Sequence, residues 1–97
     1  MYRIVNKVKL NKTVTLMDIK APFVANKAEP GQFIILRTDA DGERIPLTVA
    51  GCDKQKGTVR IIFQTVGATT LKLSKMSVGD SVSDFVGPLG KATELDG

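Results

Sequence analysis

A chain of 97 residues holds one domain's worth of apolar core and leaves no room for separate cofactor and substrate modules. Its formal charge of +4 includes lysines scattered along the first third (Lys7, Lys9, Lys12, Lys20 and Lys27) rather than massed in a block, so charge alone names no partner. With a single cysteine, no histidine and no apolar run approaching the ~20 residues of a membrane span, the sequence excludes an intrachain disulfide, a Cys/His zinc site, a Ser-His catalytic pair and a transmembrane helix.

The start, MYRIVNKVKL, lacks the uninterrupted apolar block of a secretory signal, which predicts a cytoplasmic protein. From Tyr2 to Leu10 the apolar residues Tyr2, Ile4, Val8 and Leu10 alternate with Arg3, Lys7 and Lys9, the pattern of a strand with one buried face. Asn11 and Lys12 break it, and Val14 and Leu16 begin a second strand, giving a hairpin. Met17 and Ile19 then take the opposite parity, so a bulge is expected near Leu16. Pro22 should end the pairing, since it has no N–H to offer.

Pro30 and Gly31 predict a turn into a third, largely buried strand, QFIILRT, and Asp39, Asp41 and Gly42 mark a loop tip. Strand four is expected from Leu47 to Cys52, with a polar turn over Lys54 to Gly57. In TVRIIFQTV the residues Val59, Ile61 and Phe63 share one parity, which predicts the fifth strand. GATTLKLSKM reads as a helix of about two turns capped by a threonine. Gly79 and Asp80 then turn the chain into a sixth strand, SVSDFV, and Gly87 to Gly90 close the regular part. The fold class is all-β: a six-stranded antiparallel barrel with one short helix before the last strand.

Two stretches carry candidate chemistry. In TVGATT a strand runs through Gly67 into a helix start, where unpaired N–H groups and a positive partial charge suit a diphosphate. Thr69 and Thr70 add hydroxyl donors, or serve only as helix caps. In ERIPLT, Arg44 suits a phosphate oxygen, Pro46 fixes the backbone and Thr48 offers a hydrogen bond to a polar ring atom. The plain alternative is a solvated loop arginine ahead of a strand edge. Cys52 has no adjacent base and reads as a small buried hydrophobe, while Asp39 and Asp41 read as turn formers rather than metal ligands.

The order and spacing of PGQF (Pro30 to Phe33), RIPLT (Arg44 to Thr48), VGATT (Val66 to Thr70) and GPLG (Gly87 to Gly90) resemble the flavin-binding domain of the ferredoxin-NADP reductase superfamily over nearly the whole chain. Within it, the likeness points to electron-transfer subunits of dihydroorotate dehydrogenase and to small subunits of sulfide dehydrogenase and NADH-dependent ferredoxin-NADP oxidoreductase. The resemblance implies a Greek-key barrel holding FAD, as part of an FAD-dependent NAD(P)H oxidoreductase that relays electrons to an iron-sulfur or ferredoxin-type partner. It places Thr48 near the flavin N5 edge and Leu47 on the ring, with backbone groups of Phe63, Gln64 and Thr65 along the ribityl chain. Gly67, Ala68, Thr69 and Thr70 match the family's glycine-to-serine/threonine motif at the diphosphate. The arginine does not align: Ile45 stands at its position and Arg44 lies one residue earlier.

In the family a NAD(P)-binding domain of the same subunit follows GPLG. No Gly-rich βαβ fingerprint is present here, nor the cysteines of a [2Fe-2S] cluster. The expectation is therefore a domain excised from a longer subunit that pairs with a larger catalytic oxidoreductase subunit, with no nucleic acid or membrane partner and no catalytic side chain of its own. The alternative is a small basic β-barrel that binds nucleic acid, although the scattered aromatics offer no stacking platform.

Overall fold

The computed structural model describes residues 2–90. Strand β1 (Tyr2–Lys9) forms a hairpin with β2 (Val14–Lys20), and helix α1 (Pro22–Lys27) leads to β3 (Phe33–Arg37). A meander through β4 (Arg44–Asp53) and β5 (Thr58–Gln64) ends in helix α2 (Ala68–Lys75), followed by β6 (Ser81–Val82) and β7 (Asp84–Leu89). Every pairing is antiparallel, in the order β6-β1-β2-β5-β4-β3-β7. The long connection that carries the meander back beside β2 makes the arrangement a Greek key.

The expected sixth strand is present but divided. Ser83 alone separates β6 from β7; before it Tyr2 faces Val82, and after it Arg37 faces Asp84. One stretch of chain thus pairs first with β1 and then with β3, which joins the two ends of the sheet and closes the barrel. Phe85, 2% exposed, packs on Tyr2 across this seam with ring centroids 6.0 Å apart.

The core follows strand parity. Val59, Ile61 and Phe63 point inward from β5 as expected, against Ile34 and Leu36 of β3 and Val49 of β4. Two sequence expectations are corrected. No bulge lies near Leu16, since β2 keeps one parity throughout, with Thr15, Met17 and Ile19 buried. The irregularity sits instead in β1 between Ile4 and Asn6, and it turns Val8 out to solvent. Lys7 is thereby placed opposite Met17 on the inner side, and its Nζ donates to the carbonyls of Ser74 and Met76, both at 2.7 Å, at the end of α2.

Helix α1 was not expected. Pro22, read as the end of a strand, instead occupies the first turn of a helix, where a missing N–H costs nothing, and Val24 and Ala25 bury its inner face. In β7, Gly87 has φ 152, and a Cβ there would come 2.9 Å from Ile34 Cγ2, so the strand depends on glycine to lie this close to β3.

Candidate functional site

Strands β4 and β5 are hydrogen-bonded over only part of their length. Those strands pair from Val49 opposite Ile61 down to Asp53 opposite Thr58, and among the described residues the pairing goes no further. Above Val49, residues 44–48 of β4 pair only with β3, while Ile62, Phe63 and Gln64 of β5 pair only with β2. The result is a gap with a strand edge on each side.

Strand alternation decides which groups face this gap. The Val49 N–H bonds Gln32 on the β3 side, so the main-chain groups of Thr48 and Pro46 turn toward the gap. Pro46 can occupy a strand here because no ladder bond is asked of it. On the far side the Thr65 N–H bonds Thr13, which turns the main-chain groups of Gln64 and Ile62 into the gap and those of Phe63 and Thr65 away from it. Phe63 buries its side chain in the core. Of Phe63, Gln64 and Thr65, the three residues expected to line a ligand, Gln64 is the one whose main-chain groups face the gap.

Side chains alternate too. Leu47 packs inward against the core, whereas Arg44, Pro46 and Thr48 are exposed on the outer face. A flat group touching both Leu47 and Thr48 must therefore sit at the strand's free edge, where the two faces meet.

The gap leads to the start of α2. The Thr70 hydroxyl accepts from the N–H groups of Val66 (2.9 Å) and Gly67 (3.0 Å) and donates to the Gly67 carbonyl (3.1 Å). Thr70 is buried, and its hydroxyl is fully engaged within the protein, so it shapes the turn rather than offering itself to a ligand. The first amides of the helix, on Ala68, Thr69 and Thr70, have no carbonyl behind them and no side-chain cap. Gly67 adopts φ −166, an extended conformation open to any residue, and a Cβ there would meet nothing within 4 Å. Neither backbone nor packing demands glycine at this point, and its bareness leaves clear space beside the free amides. These features fit a diphosphate.

Arg44 has an acidic partner on β7. Its Nη2 is 3.5 Å from Asp84 Oδ2, an oxygen it shares with Arg37 Nε at 2.8 Å. The second contact is one of charge and distance, since the Arg37 Nε–H is not aligned for a hydrogen bond. The Arg44 side chain remains 62% exposed, free to swing, but a phosphate contact requires it to leave Asp84.

Across the open end of the gap, Lys72 of α2 makes an ion pair with Asp39 in the loop between β3 and β4. The ammonium holds the Asp39 carboxyl below its ordinary range, and the same side chain accepts from the Asp41 N–H at 3.1 Å. The turn-forming role expected of Asp39 is thus present, and the pairing with Lys72 was not foreseen.

The other end of the barrel differs in kind. Asp18 and Arg60, opposite each other on β2 and β5, form a two-pronged pair at 2.8 and 3.1 Å, and Asn6 adds a bond of 3.0 Å. Arg60 lowers the Asp18 pKa by this bonding. A polar hollow of about 310 Å³ lies here, lined by Asp18, Gly51, Cys52, Asp53, Lys56 and Arg60 among others. Cys52 donates its thiol to the Ala28 carbonyl at 3.2 Å. Among the described residues, no three His, Cys, Asp or Glu side chains gather as a metal site, and no helix is long and apolar enough to cross a membrane.

No family model matches the sequence. An uncharacterised protein of the adh 3' region of Clostridium beijerinckii is 56% identical over 98% of this chain and 32% of its own length. A Thermotoga maritima homolog of the electron transfer subunit of dihydroorotate dehydrogenase B (NAD(+)) is 44% identical over 96% of this chain and 33% of its own. Among solved structures, a chain of NADH-dependent reduced ferredoxin-NADP oxidoreductase, described in connection with flavin-based electron bifurcation, superposes with a TM-score of 0.93 at 44% identity, over 97% of this chain and 34% of that one. The chain spans about a third of the length of each of these proteins.

Proposed function

Taking as premise that the chain is a barrel domain of the ferredoxin-NADP reductase superfamily, we propose that it is the FAD-holding module of an NAD(P)H oxidoreductase that relays electrons to an iron-sulfur or ferredoxin-type partner. The observation that carries this reading is the gap between β4 and β5, an unpaired strand edge on each side, running to uncapped amides at α2. In a barrel of this size, open edges are a liability unless something pairs with them.

The residues divide the work. Amides of Ala68, Thr69 and Thr70, with the helix dipole behind them, hold the diphosphate, and the Thr69 hydroxyl adds a donor. Main-chain groups of Gln64 run beside the ribityl chain. Leu47 and Thr48 meet the ring at the strand edge, Leu47 by packing and Thr48 through a hydrogen bond near N5. Arg44 supplies a mobile positive charge at the rim. When bound, the group supplies exchange of electrons between a reduced nicotinamide and an iron-sulfur acceptor; the protein positions it and keeps its tail neutralised.

The chain acts within a longer cytoplasmic subunit that contributes the NAD(P)-binding domain and a [2Fe-2S] cluster, and a larger catalytic oxidoreductase subunit is its partner. Two of the matches named above are a homolog of an electron transfer subunit and an NADH-dependent ferredoxin-NADP oxidoreductase, and nothing in them supports the nucleic-acid alternative. The test is a titration of the purified 97-residue chain with FAD, followed by flavin fluorescence. Saturable binding that Gly67→Asp reduces at least 100-fold, with the melting temperature unchanged, is the expected result. Failure to bind FAD, or equal binding by the aspartate variant, overturns the proposal.

A further inference from the structure

The Asp39–Lys72 pair has a position that its modest strength would not suggest. Strands β4 and β5 run antiparallel, so the loop ahead of Arg44 and the helix after Gln64 lie at the same end of the barrel. One side of the gap, β4, is continuous with the loop bearing Asp39; the other, β5, is continuous with the helix bearing Lys72. The paired residues Val49 and Ile61 close the gap at its base. The ion pair joins its two sides at the top. Both partners are otherwise supported: Asp39 by its bond to the Asp41 N–H, and α2 by Lys7 at its far end.

We propose that Asp39 and Lys72 form an ionic clasp over the dinucleotide gap, which slows escape of the bound flavin dinucleotide by tying α2 to the β3–β4 loop. This rests on the reading of the gap as the FAD site. Because both side chains are half exposed, the clasp is weak, screened by salt and able to open without disturbing the core. It is a positioning device: neither side chain need touch the ligand.

The experiment measures FAD release from the full chain, by recovery of flavin fluorescence after dilution. Asp39→Asn and Lys72→Gln should each speed release about threefold at low salt, within the range expected of an exposed ion pair. Lys72→Arg, which keeps the charge and leaves the Asp39 turn intact, should retain the slow rate, and about 0.5 M salt, a condition chosen on the order of the screening needed, should erase the differences. If Lys72 instead contacts a phosphate directly, Lys72→Gln weakens binding while Asp39→Asn, by freeing the lysine, tightens it; opposite signs overturn the clasp. Unchanged release in both single variants does the same. A chain that never retains FAD defeats the parent reading, and the clasp is then judged on the apo protein. There the Gly42 amide, bonded to the Asp39 carbonyl at 3.0 Å, should exchange faster in Lys72→Gln, and unaltered exchange overturns it.

Discussion

The two ends of the β4–β5 pair show opposite uses of the same strands. Below Val49 the strands stay paired to Asp53 and Thr58 across one irregularity between Val49 and Gly51, Asp18 and Arg60 lock the outer face, and Ile61 and Val59 are fully buried beneath it. Above Val49 the strands part, proline is tolerated, and main-chain groups and helix amides are left without partners among the described residues. The lower half has its polar groups satisfied internally and should govern stability. The upper half leaves them unsatisfied and should govern binding, because buried or half-buried backbone groups without partners are costly unless a ligand or water completes them.

Substitutions can break this division, starting with the deepest. Ile61→Ala removes a fully buried side chain at the base of the gap and should cost about 3 kcal/mol in urea unfolding. A loss of less than about 1 kcal/mol would mean that the lower half is not the stable one. Thr70→Val strips the hydroxyl that accepts two amides; it should cost about 1–2 kcal/mol and also weaken FAD binding, whereas Thr70→Ser should restore both.

Asp18→Asn should cost up to about 1 kcal/mol at pH 7, measured against the wild type by urea titration. The sign of its pH dependence follows from the direction of the shift. The Asp18 pKa is lower in the folded chain than the ordinary 3.8, so its contribution is complete above that value and is lost as pH falls through the folded pKa. The wild-type advantage over Asp18→Asn should therefore shrink only in that acidic window, and an advantage that faded near neutrality would contradict the assignment. The smallest stability effect is expected for Thr48→Val, within about 0.5 kcal/mol, yet it should alter the absorption of bound flavin. A change in stability with no spectral change would place Thr48 in the wrong half.

How far the sequence foretold this depends on whether the signal was local. The inward parity of Val59, Ile61 and Phe63 was plain, because strand alternation is written into neighbouring residues. The turn at Gly67 and the two turns of α2 were legible for the same reason. Val8 was read as core because one extra residue in β1 reverses parity without any marker in composition. Helix α1 was missed since Ala21 is no customary cap and Pro22 suits both the end of a strand and the start of a helix. The site was readable as a set of residue types but not as a gap. Its opening depends on where β4 leaves β5, and partners such as Arg44 with Asp84 or Asp39 with Lys72 lie more than 30 positions apart. Thr70 was read both as a hydroxyl donor and as a cap, and its bonds to the Val66 and Gly67 amides are those of the cap.

The row shared by Thr48, Phe33 and Leu89 has a bearing on what lies next to the gap. Gly90 follows directly, with its carbonyl held by Gln32 Nε2 at 2.7 Å. Polypeptide continuing from that point sets out only two strand spacings, about 10 Å, from Thr48. On the proposed function, a domain joined at that point would start within reach of the ring edge at Thr48, so that a short connection would suffice to bring a second reactant face to face with it.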